Sequence, residues 1–537
     1  MEYDYIIVGA GSAGCVVANR LSACGRHSVL LLEAGGHDQR PYVQLPIGYG
    51  KTYYDQAVNW KYLTQPVPGL DNRRSYWPRG KVLGGSSSIN AMVYVRGHRS
   101  DYDEWESVAP GWGWDNVEPL FRRMENWKGD ASKFRGSGGP LAVTDIRAQA
   151  HPLCNTFVSA ANELGWAYND DYNAASMEGV THYQITTDKG FRASSAKAYL
   201  KPAMGRANLT VLTHAHAERL HLVQSRVSAL SFRHRGQPCR AKARVEIILC
   251  GGAVNSPQLL QVSGVGPKRV LNQAGVHQEH ELAAVGENLS DHLGADMICQ
   301  SNVPTLNQAL RPWYGKVKAG LQFALHRKGP LSLSLNQAGG FISTIADSDR
   351  PDLQLYFSPV SYTRAPPGTR PLINPDAFPG FLIGFNPCKP TSVGYVHITS
   401  SDPADSPAIQ PHYLSTEHDV DLMLTGMKLM RQFISTDSFT QVVVDEIYPG
   451  DDCSSDEQLV EFIRENSWTV FHPCCTCRMG SNSKTAVVDP SLRVHGLQGL
   501  RIADASVFPT IPTGNTNAPS IMVGERAAEL ILEDARR

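Results

Sequence analysis

The apolar and polar positions near the N-terminus predict a strand, a helix and a second strand in close succession. The apolar run at residues 5–8 ends in glycines at positions 9, 11 and 14, and a second apolar run at 29–32 ends in Glu33. Short apolar runs bounded by glycine are typical of buried strands, and the segment between them is long enough for a helix. This order is that of a dinucleotide-binding βαβ unit.

Each glycine and the acidic residue of this unit has a physical role. Gly9 permits the sharp turn, Gly11 lets the backbone approach a pyrophosphate, and Gly14 lets the helix pack close to the strand. The helix N-terminus presents N–H groups and a positive dipole end to phosphates. Glu33 is placed to accept hydrogen bonds from a ribose diol, which disfavours NADP and leaves NAD or FAD.

Further elements of the same kind recur in the middle and at the end of the chain. Residues 246–253 predict a buried strand ending in glycines, with a helix from Ser256, and residues 500–506 predict another strand end. A final amphipathic helix is predicted over 520–533. We therefore expect a second domain to be inserted between parts of the nucleotide-binding domain.

Composition narrows the functional classes. The 537 residues carry a net charge of -1, with 42% hydrophobic and 19% charged residues, so there is no electrostatic argument for nucleic acid. The apolar runs are of strand length, and the chain opens directly into a strand, so we expect neither a transmembrane helix nor a signal peptide. Eleven irregularly spaced cysteines indicate a reducing, cytoplasmic setting.

Two segments predict surface features. Residues 316–327 read as an amphipathic helix in which Lys316, Lys318 and Arg327 flank apolar positions. An ordinary surface helix is the simpler interpretation, and weak peripheral contact with a membrane is the alternative. The proline-rich stretch that begins at Arg364 predicts a loop, either a lid over a site or a surface excursion.

Three further segments carry a family resemblance. Residues 80–90 are rich in glycine and serine, and residues 285–292 read VGENLSDH. Residues 252–266 combine a turn, the start of a helix and glycines at the end of the segment. Small residues let a backbone lie against a flat ring system or a phosphate. Over essentially its whole length the chain resembles the glucose–methanol–choline (GMC) flavoprotein oxidoreductases, most closely their bacterial alcohol, choline and sorbose dehydrogenase branch.

The resemblance implies an active site near the C-terminus. Residues 471–480 and 514–522 resemble the two active-site segments of the family, which makes His472 the catalytic residue above the flavin. Counting back from residues 524–526 assigns Asn517, not Asn515, to the second catalytic position. A neutral imidazole can accept the hydroxyl proton of an alcohol, and an amide can donate to the same oxygen.

The resemblance also implies cofactor contacts and pocket walls. Ile89 stands where some members carry the histidine that attaches FAD, so we expect non-covalent FAD. Phe471 and Trp468 are predicted pocket walls, although core packing would explain each of them equally well. The expected cofactor contacts are Gly9, Gly11, Ser12, Ala13, Gly14, Glu33, Ala34, Gly84, Gly85, Asn90, Ala91, Met92, Val93, Ala217, Asp504, Ala505 and Asn517.

The cysteines beside His472 allow two competing hypotheses. Cys474 and Cys477 form a CxxC, but no second ligand pair accompanies them, so we predict no metal site. Dithiol chemistry would need a helix N-terminus to lower the thiol pKa, and Pro473 and Thr476 give no sign of one. We interpret these cysteines as small buried residues.

The resulting expectation is an α/β fold, with a Rossmann-type FAD-binding domain and an inserted α+β substrate domain that contains an antiparallel sheet. We predict the first domain over residues 1–150, 190–300 and 470–537, and the second over 151–189 and 301–469. The implied activity is FAD-dependent oxidation of a small-molecule alcohol, with His472 as general base and Asn517 positioning the substrate oxygen. The implied electron acceptor is an external quinone or cytochrome. An oxidase using oxygen and a non-redox lyase on the same scaffold remain alternatives.

Overall fold

Two seven-stranded sheets organise the chain in the computed structural model, which describes residues 1–345, 348–362 and 375–536. The first is parallel at one side and antiparallel at the other. Its strands in spatial order are Leu209–Thr213, Val29–Glu33, Glu2–Val8, Gln237–Leu249, Arg226–His234 and Ala215–Val223, with Leu500–Ile502 also paired to Gln237–Leu249.

The N-terminal strand lies at the centre of the parallel part. Ile6 pairs with Leu30 on one side and with Ile247 on the other, and all three side chains are fully buried. Helices cover both faces of a parallel sheet, which is why these strands read as continuous apolar runs. The predicted Rossmann-type unit is confirmed.

The second sheet is antiparallel and comes from the middle of the chain. Its strands in order are Val443–Tyr448, Leu293–Ser301, Gly380–Pro387, Leu353–Ser358, Ala338–Ile342 and Gly179–His182, with Trp468–Thr469 also paired to Leu293–Ser301. The expected antiparallel sheet is therefore present. The strand Leu293–Ser301 pairs only within this sheet, although the predicted domain boundary lies at residue 300, and the exact domain limits stay a prediction.

Shorter strands pair outside the two large sheets. One small sheet joins Glu125–Trp127, Leu141–Asp145 and Gln184–Ile185. The two-stranded pairs are Tyr62–Leu63 with Tyr76–Trp77, Thr187–Asp188 with Phe191–Arg192, Val265–Gly266 with His280–Glu281, and Tyr395–His397 with Ala408–Gln410.

Helices pack against both sheets. The longer ones are Ser12–Ser22, Arg99–Val108, Trp114–Met124, Leu153–Glu163, Gly252–Val262, Trp313–His326, Glu417–Ile434, Asp456–Asn466 and Asn517–Asp534. The shorter α-helices are Pro41–Gln44, Tyr49–Thr52, Lys201–Ala203, Lys268–Gln273, Leu306–Leu310 and Asp437–Thr440. None of the helices in the described part of the chain has the length and apolarity needed to cross a membrane.

The first and last long helices pack closely against each other. Glu525 of the last helix is 1% exposed and accepts two hydrogen bonds from Arg20 of the first, at 2.9 and 2.7 Å. Tyr199 and Arg123 donate to the same carboxylate at 2.9 and 3.2 Å. A buried carboxylate with this many donors joins the C-terminal turn of the first helix to the middle of the last one.

Several element limits differ from the prediction. The helix expected from Ser256 begins at Gly252, and the C-terminal helix expected over 520–533 covers Asn517–Asp534. The amphipathic segment at 316–327 forms the helix Trp313–His326. Most of the proline-rich stretch, residues 363–374, lies outside the described residues.

Candidate active site

One large cavity encloses about 1750 Å³, including its solvent-open mouth, and is lined by ends of the parallel strands, the helix starts beside them and the loop that carries His472. Most residues expected to contact a cofactor line it: Gly9, Gly11, Ser12, Ala13, Glu33, Ala34, Gly85, Asn90, Ala91, Met92, Val93, Ala217, Asp504, Ala505 and Asn517. Gly14 and Gly84 do not. Gly14 instead packs the first helix on the turn before it, where a Cβ would lie 1.9 Å from the Gly9 carbonyl oxygen.

One end of the cavity has the features of a dinucleotide site. Glu33 is 6% exposed and accepts hydrogen bonds from the backbone N–H groups of Ala10 at 3.0 Å and Gly35 at 2.8 Å. Burial raises the pKa of Glu33 to about 7. The carboxylate is held at the carboxyl end of its strand, where a ribose diol would bind.

The start of the first helix provides the second feature. No side chain caps this N-terminus and no acidic residue lies in its first turn, so its N–H groups and positive dipole end are available to an anion. Gly85 lies so close that a Cβ there would be 2.7 Å from the Cα of Gly11. This approach leaves a narrow cradle for a pyrophosphate, and the residues of the cavity fit FAD.

Asp504 holds a second helix start at the cavity. Its carboxylate accepts from the backbone N–H of Gly252 at 2.8 Å, the hydroxyl of Ser256 at 2.6 Å and the N–H of Ser506 at 2.8 Å. Burial raises the pKa of Asp504. Asp504 therefore joins the strand end at 500–502 to the helix Gly252–Val262.

The other end of the cavity contains His472, which is 7% exposed. Its backbone N–H donates to the carboxylate of Asp291 at 2.7 Å, and Cys474 exchanges backbone hydrogen bonds with Ser290 at 3.0 and 3.2 Å. Phe471 before it has φ +69°, a conformation that is uncommon for a large side chain. The loop that carries His472 is thus held against residues 290–292 by the backbone.

A chain of hydrogen bonds determines which nitrogen of His472 carries a proton. His292 Nε2 lies 2.8 Å from the carbonyl oxygen of Cys388, which can only accept, so this nitrogen carries the hydrogen. His292 Nδ1 then accepts from His472 Nδ1 at 2.9 Å. The remaining nitrogen, His472 Nε2, therefore carries no hydrogen and presents its lone pair as an acceptor.

Asn515 contacts that lone pair. Its Nδ2 donates to His472 Nε2 at 2.9 Å, and its Oδ1 accepts from Gln354 Nε2 at 3.1 Å. The orientation of the Asn515 amide is therefore consistent with both neighbours.

The structure brings Asn515, not the predicted Asn517, against His472. Asn517 lies in the first turn of the C-terminal helix, and its Oδ1 accepts from the hydroxyl of Ser12 at 2.9 Å. Asn515 precedes that helix and follows Gly514, whose φ of +89° turns the chain toward His472. Asn517 therefore lies at the phosphate-binding end of the cavity, where it was also expected as a cofactor contact.

Burial keeps both imidazoles neutral. It lowers the pKa of His292 to about 4 and holds the pKa of His472 well below its usual value of 6.5. The neighbouring His292 and the Arg79 guanidinium also lower the pKa of His472. At neutral pH, His472 is therefore a proton acceptor rather than a proton donor.

Two charged groups, the half-buried Arg79 and the buried Asp291, support the loop that carries His472. Arg79 lines the cavity and donates from Nη2 to the Phe471 carbonyl oxygen at 2.6 Å. Asp291 accepts from the Tyr413 hydroxyl and, at 2.5 Å, from the Thr469 hydroxyl. Burial raises the pKa of Asp291 to about 6. These contacts fix the backbone on both sides of the imidazole.

The two predicted pocket walls have different positions. Phe471 lines the cavity, with its ring 5.2 Å from that of Tyr53. Trp468 is not among the residues that line it; its indole lies 5.6 Å from the Phe471 ring and pairs through its backbone with Gly294. Trp468 therefore supports the wall from behind.

The cysteines near His472 are core residues. Cys474, Cys475 and Cys477 are at most 1% exposed and pack in the same hydrophobic core as the parallel sheet. Among the described residues, no group of three or more histidine, cysteine or acidic side chains could hold a metal ion.

Sequence reasoning missed the partners of His472. His292 stands at the end of the segment 285–292, so its presence in a matched segment was the available signal. The contact with His472 spans 180 positions of the chain, and no local pattern encodes it. Gln354 and Arg79 gave no signal beyond their residue types.

Comparison with known proteins identifies the family. The N-terminal and C-terminal models of the GMC oxidoreductases match residues 3–294 and 390–524. The chain is 41% identical to an oxygen-dependent choline dehydrogenase of Photobacterium profundum, covering 99% of this chain and 93% of that one. It is 40% identical to an alcohol dehydrogenase [acceptor] of Pseudomonas putida, with coverages of 99% and 96%.

A solved structure extends the likeness to three dimensions. The crystal structure of pyridoxine 4-oxidase from Mesorbium loti superposes with a TM-score of 0.88 at 30% identity, over 99% of both chains. Three findings point to the same family. They are the βαβ unit with its glycine turn and Glu33, the cavity that fits FAD, and the two family models that match most of the sequence. The chain belongs to the GMC oxidoreductase family of FAD-binding flavoproteins.

Proposed function

We propose that the protein oxidises a neutral alcohol to the aldehyde or ketone, with His472 as the general base and Asn515 as the group that positions the substrate oxygen. The observation that carries this proposal is the pairing of a neutral imidazole lone pair with an amide donor, 2.9 Å apart, at the cavity. When bound, FAD supplies the acceptor for the hydride.

The proton of the alcohol goes to His472 Nε2. The O–H bond breaks as the carbinol C–H bond gives up its hydride, so the oxygen forms a carbonyl and His472 becomes the imidazolium. An alkoxide in a buried site is costly unless a base lies at hydrogen-bond distance. Burial has already lowered the pKa of His472, which keeps its lone pair available at neutral pH.

Asn515 holds the oxygen in place. A substrate hydroxyl that reaches His472 Nε2 also comes within reach of the Asn515 Nδ2–H groups, since the two nitrogens are hydrogen-bonded neighbours. The substrate hydroxyl takes the place of the amide at His472 Nε2, and the amide N–H shifts to the substrate oxygen and donates to it as negative charge develops there. Gln354 fixes the amide from behind and prevents it from turning its oxygen to the substrate.

Within this hydrogen-bond chain the proton can pass no further than His292. His472 Nδ1 donates to His292, and His292 donates in turn to the Cys388 carbonyl oxygen, which cannot take up a proton at neutral pH. The chain therefore fixes the tautomer of His472, and the proton leaves from Nε2 through the cavity.

The charge of the cavity favours a neutral substrate. Glu33 and Asp504 are the carboxylates among the described residues that line it, and both already accept backbone hydrogen bonds at the nucleotide end. Two aromatic rings, Phe471 beside His472 and Tyr53 at 5.2 Å from it, line this part of the cavity. A quaternary ammonium group is held best where a carboxylate accompanies the rings, and the lining carboxylates among the described residues both lie at the nucleotide end.

The proposal extends to the cofactor and the electron acceptor. The Ile89 side chain lines the cavity and has no nucleophilic atom, so we propose that FAD is bound without a covalent bond. An external quinone or cytochrome is the proposed acceptor, which the name of the alcohol dehydrogenase [acceptor] relative supports. An oxidase would instead consume oxygen in stoichiometric amounts.

Replacement of His472 tests the base. We expect His472→Ala to slow anaerobic flavin reduction by about 100- to 10,000-fold, because the hydroxyl proton loses its acceptor. The matched control is His495→Ala, whose Nε2 faces the Gly480 carbonyl oxygen away from the cavity. Stopped-flow absorbance of the bound flavin measures both rates. Equal rates in His472→Ala and the unmodified enzyme would contradict the proposal, and a substrate that turns over without bleaching the flavin would indicate a lyase.

The two neighbouring asparagines separate positioning from cofactor binding. We expect Asn515→Ala to lower the rate of flavin reduction about 100-fold while FAD remains bound, since one donor to the developing charge is lost. In Asn517→Ala we expect weaker FAD binding, because its partner Ser12 lies at the phosphate-binding end. Stopped-flow reduction and FAD dissociation by ultrafiltration report the two effects. The reverse pattern would restore Asn517 to the catalytic position.

A matched pair of substrates tests the charge argument. We expect the carbon isostere of choline, in which a quaternary carbon replaces the nitrogen, to be oxidised with a kcat/KM at least about tenfold above that of choline, because the cation loses its hydration without a carboxylate partner. The two molecules have the same shape, and an artificial electron acceptor gives both rates. A preference for choline would show that a cation site exists near His472.

A further inference from the structure

The helix Trp313–His326 exposes an unusual number of large apolar side chains. Of the fifteen exposed ones among the described residues, five lie on this helix: Trp313 (76% exposed), Tyr314 (64%), Val317 (51%), Leu321 (59%) and Leu325 (74%). Single exposed apolar side chains are normal, but a cluster on one element marks an interaction surface.

The helix has a narrow buried side and a broad exposed side. Gly315, Ala319 and Phe323, spaced four residues apart, are buried against the body of the protein. At 100° per residue, the five exposed apolar side chains all point to the opposite side of the helix. We name these five residues the apolar strip.

Basic residues border the apolar strip. Lys316 and Lys318 fall on opposite edges of it, and Arg327 and Lys328 follow the C-terminus of the helix, all of them exposed. No aspartate or glutamate occurs between residues 297 and 346, in a chain whose net charge is -1. An apolar strip edged by flexible cations matches the boundary between acyl chains and anionic headgroups, where lysine stems reach outward.

We propose that the apolar strip docks on the surface of a lipid bilayer that contains anionic phospholipids. The aromatic and aliphatic side chains would enter the interface, while Lys316, Lys318, Arg327 and Lys328 contact headgroup phosphates. This surface is separate from the chemistry proposed for His472 and does not depend on it.

A second copy of the chain fits the strip less well. The strip has five apolar residues on one helix that is about 21 Å long, whereas a stable protein interface takes about 20 to 30 residues from each partner. A symmetric dimer would also bring the same cations against one another. Neither the size requirement nor the charge repulsion applies to a bilayer, because its surface adapts to the strip and anionic lipids carry the opposite charge.

The buried side of the helix links the strip to the cavity. Ala319 packs in a hydrophobic cluster that includes Met92, and Met92 also lines the cavity. The cluster under the docking helix therefore reaches the wall of the cavity. Docking would hold this end of the cavity close to the lipid surface, where substrates or acceptors of low polarity accumulate.

Sedimentation with vesicles tests the proposal on the full-length holoenzyme. We expect it to sediment with vesicles of phosphatidylcholine mixed with phosphatidylglycerol, less with phosphatidylcholine alone, and less as salt rises. The double variant Leu321→Ser/Leu325→Ser should bind at least about tenfold more weakly. The matched control is Val223→Ser/Val444→Ser, which changes two side chains that are 68% and 57% exposed elsewhere.

The outcomes separate lipid from other occupants. Activity with a water-soluble electron acceptor verifies that each variant is folded, and Lys316→Gln/Lys318→Gln should weaken binding to the anionic vesicles alone. Failure of the unmodified holoenzyme to sediment with anionic vesicles would overturn the proposal. So would equal losses in the leucine variant and its control, or a dimer in solution that the leucine variant dissociates, which would identify a second copy as the occupant.

Discussion

A pair of neutral imidazoles, buried together and hydrogen-bonded through their Nδ1 atoms, is the constraint on which the active site depends. His292 and His472 cannot both be cationic in a region that excludes water, and burial lowers the pKa of each. The Cys388 carbonyl oxygen fixes the hydrogen of His292, and that hydrogen fixes the one on His472. A single lone pair, on His472 Nε2, is left to face Asn515 and the cavity.

The two sheets contribute different halves of this site. The parallel sheet and the helix starts around it present Glu33, Asp504 and the glycine turn to a dinucleotide. The antiparallel sheet carries the groups that orient the base, since Gln354 lies within one of its strands, and His292 and Cys388 directly precede and follow two others. The fold therefore brings a cofactor cradle and the proposed proton acceptor to one cavity, where their fixed positions would supply the placement that catalysis needs.

Local sequence patterns predicted the cofactor-binding end of the cavity because the residues that form it lie close together in the sequence. The strand, the glycine turn and Glu33 lie within 33 consecutive residues, and each follows from backbone sterics and the helix dipole. His472, the proposed base, was found through a resemblance, but its partners were not. Asn515 and Asn517 differ by two positions, and only the start of the C-terminal helix decides that one faces His472 and the other faces Ser12. Trp468 was misplaced for a similar reason, because a strand pairing with Gly294 turns it behind Phe471.

The protonation state of His472 in the FAD-bound enzyme shows most directly whether the two paired imidazoles are neutral and the lone pair lies on His472 Nε2. Nitrogen NMR of enzyme labelled in its histidine rings, with His472→Gln used to assign the signals, reports which ring nitrogens carry hydrogen. We expect a protonated Nδ1 and an unprotonated Nε2 for His472. This state should not change as the pH falls from neutral through 6.5, since the pKa of His472 is held well below that value. A hydrogen on Nε2 at neutral pH, or an imidazolium already formed there, would contradict the account.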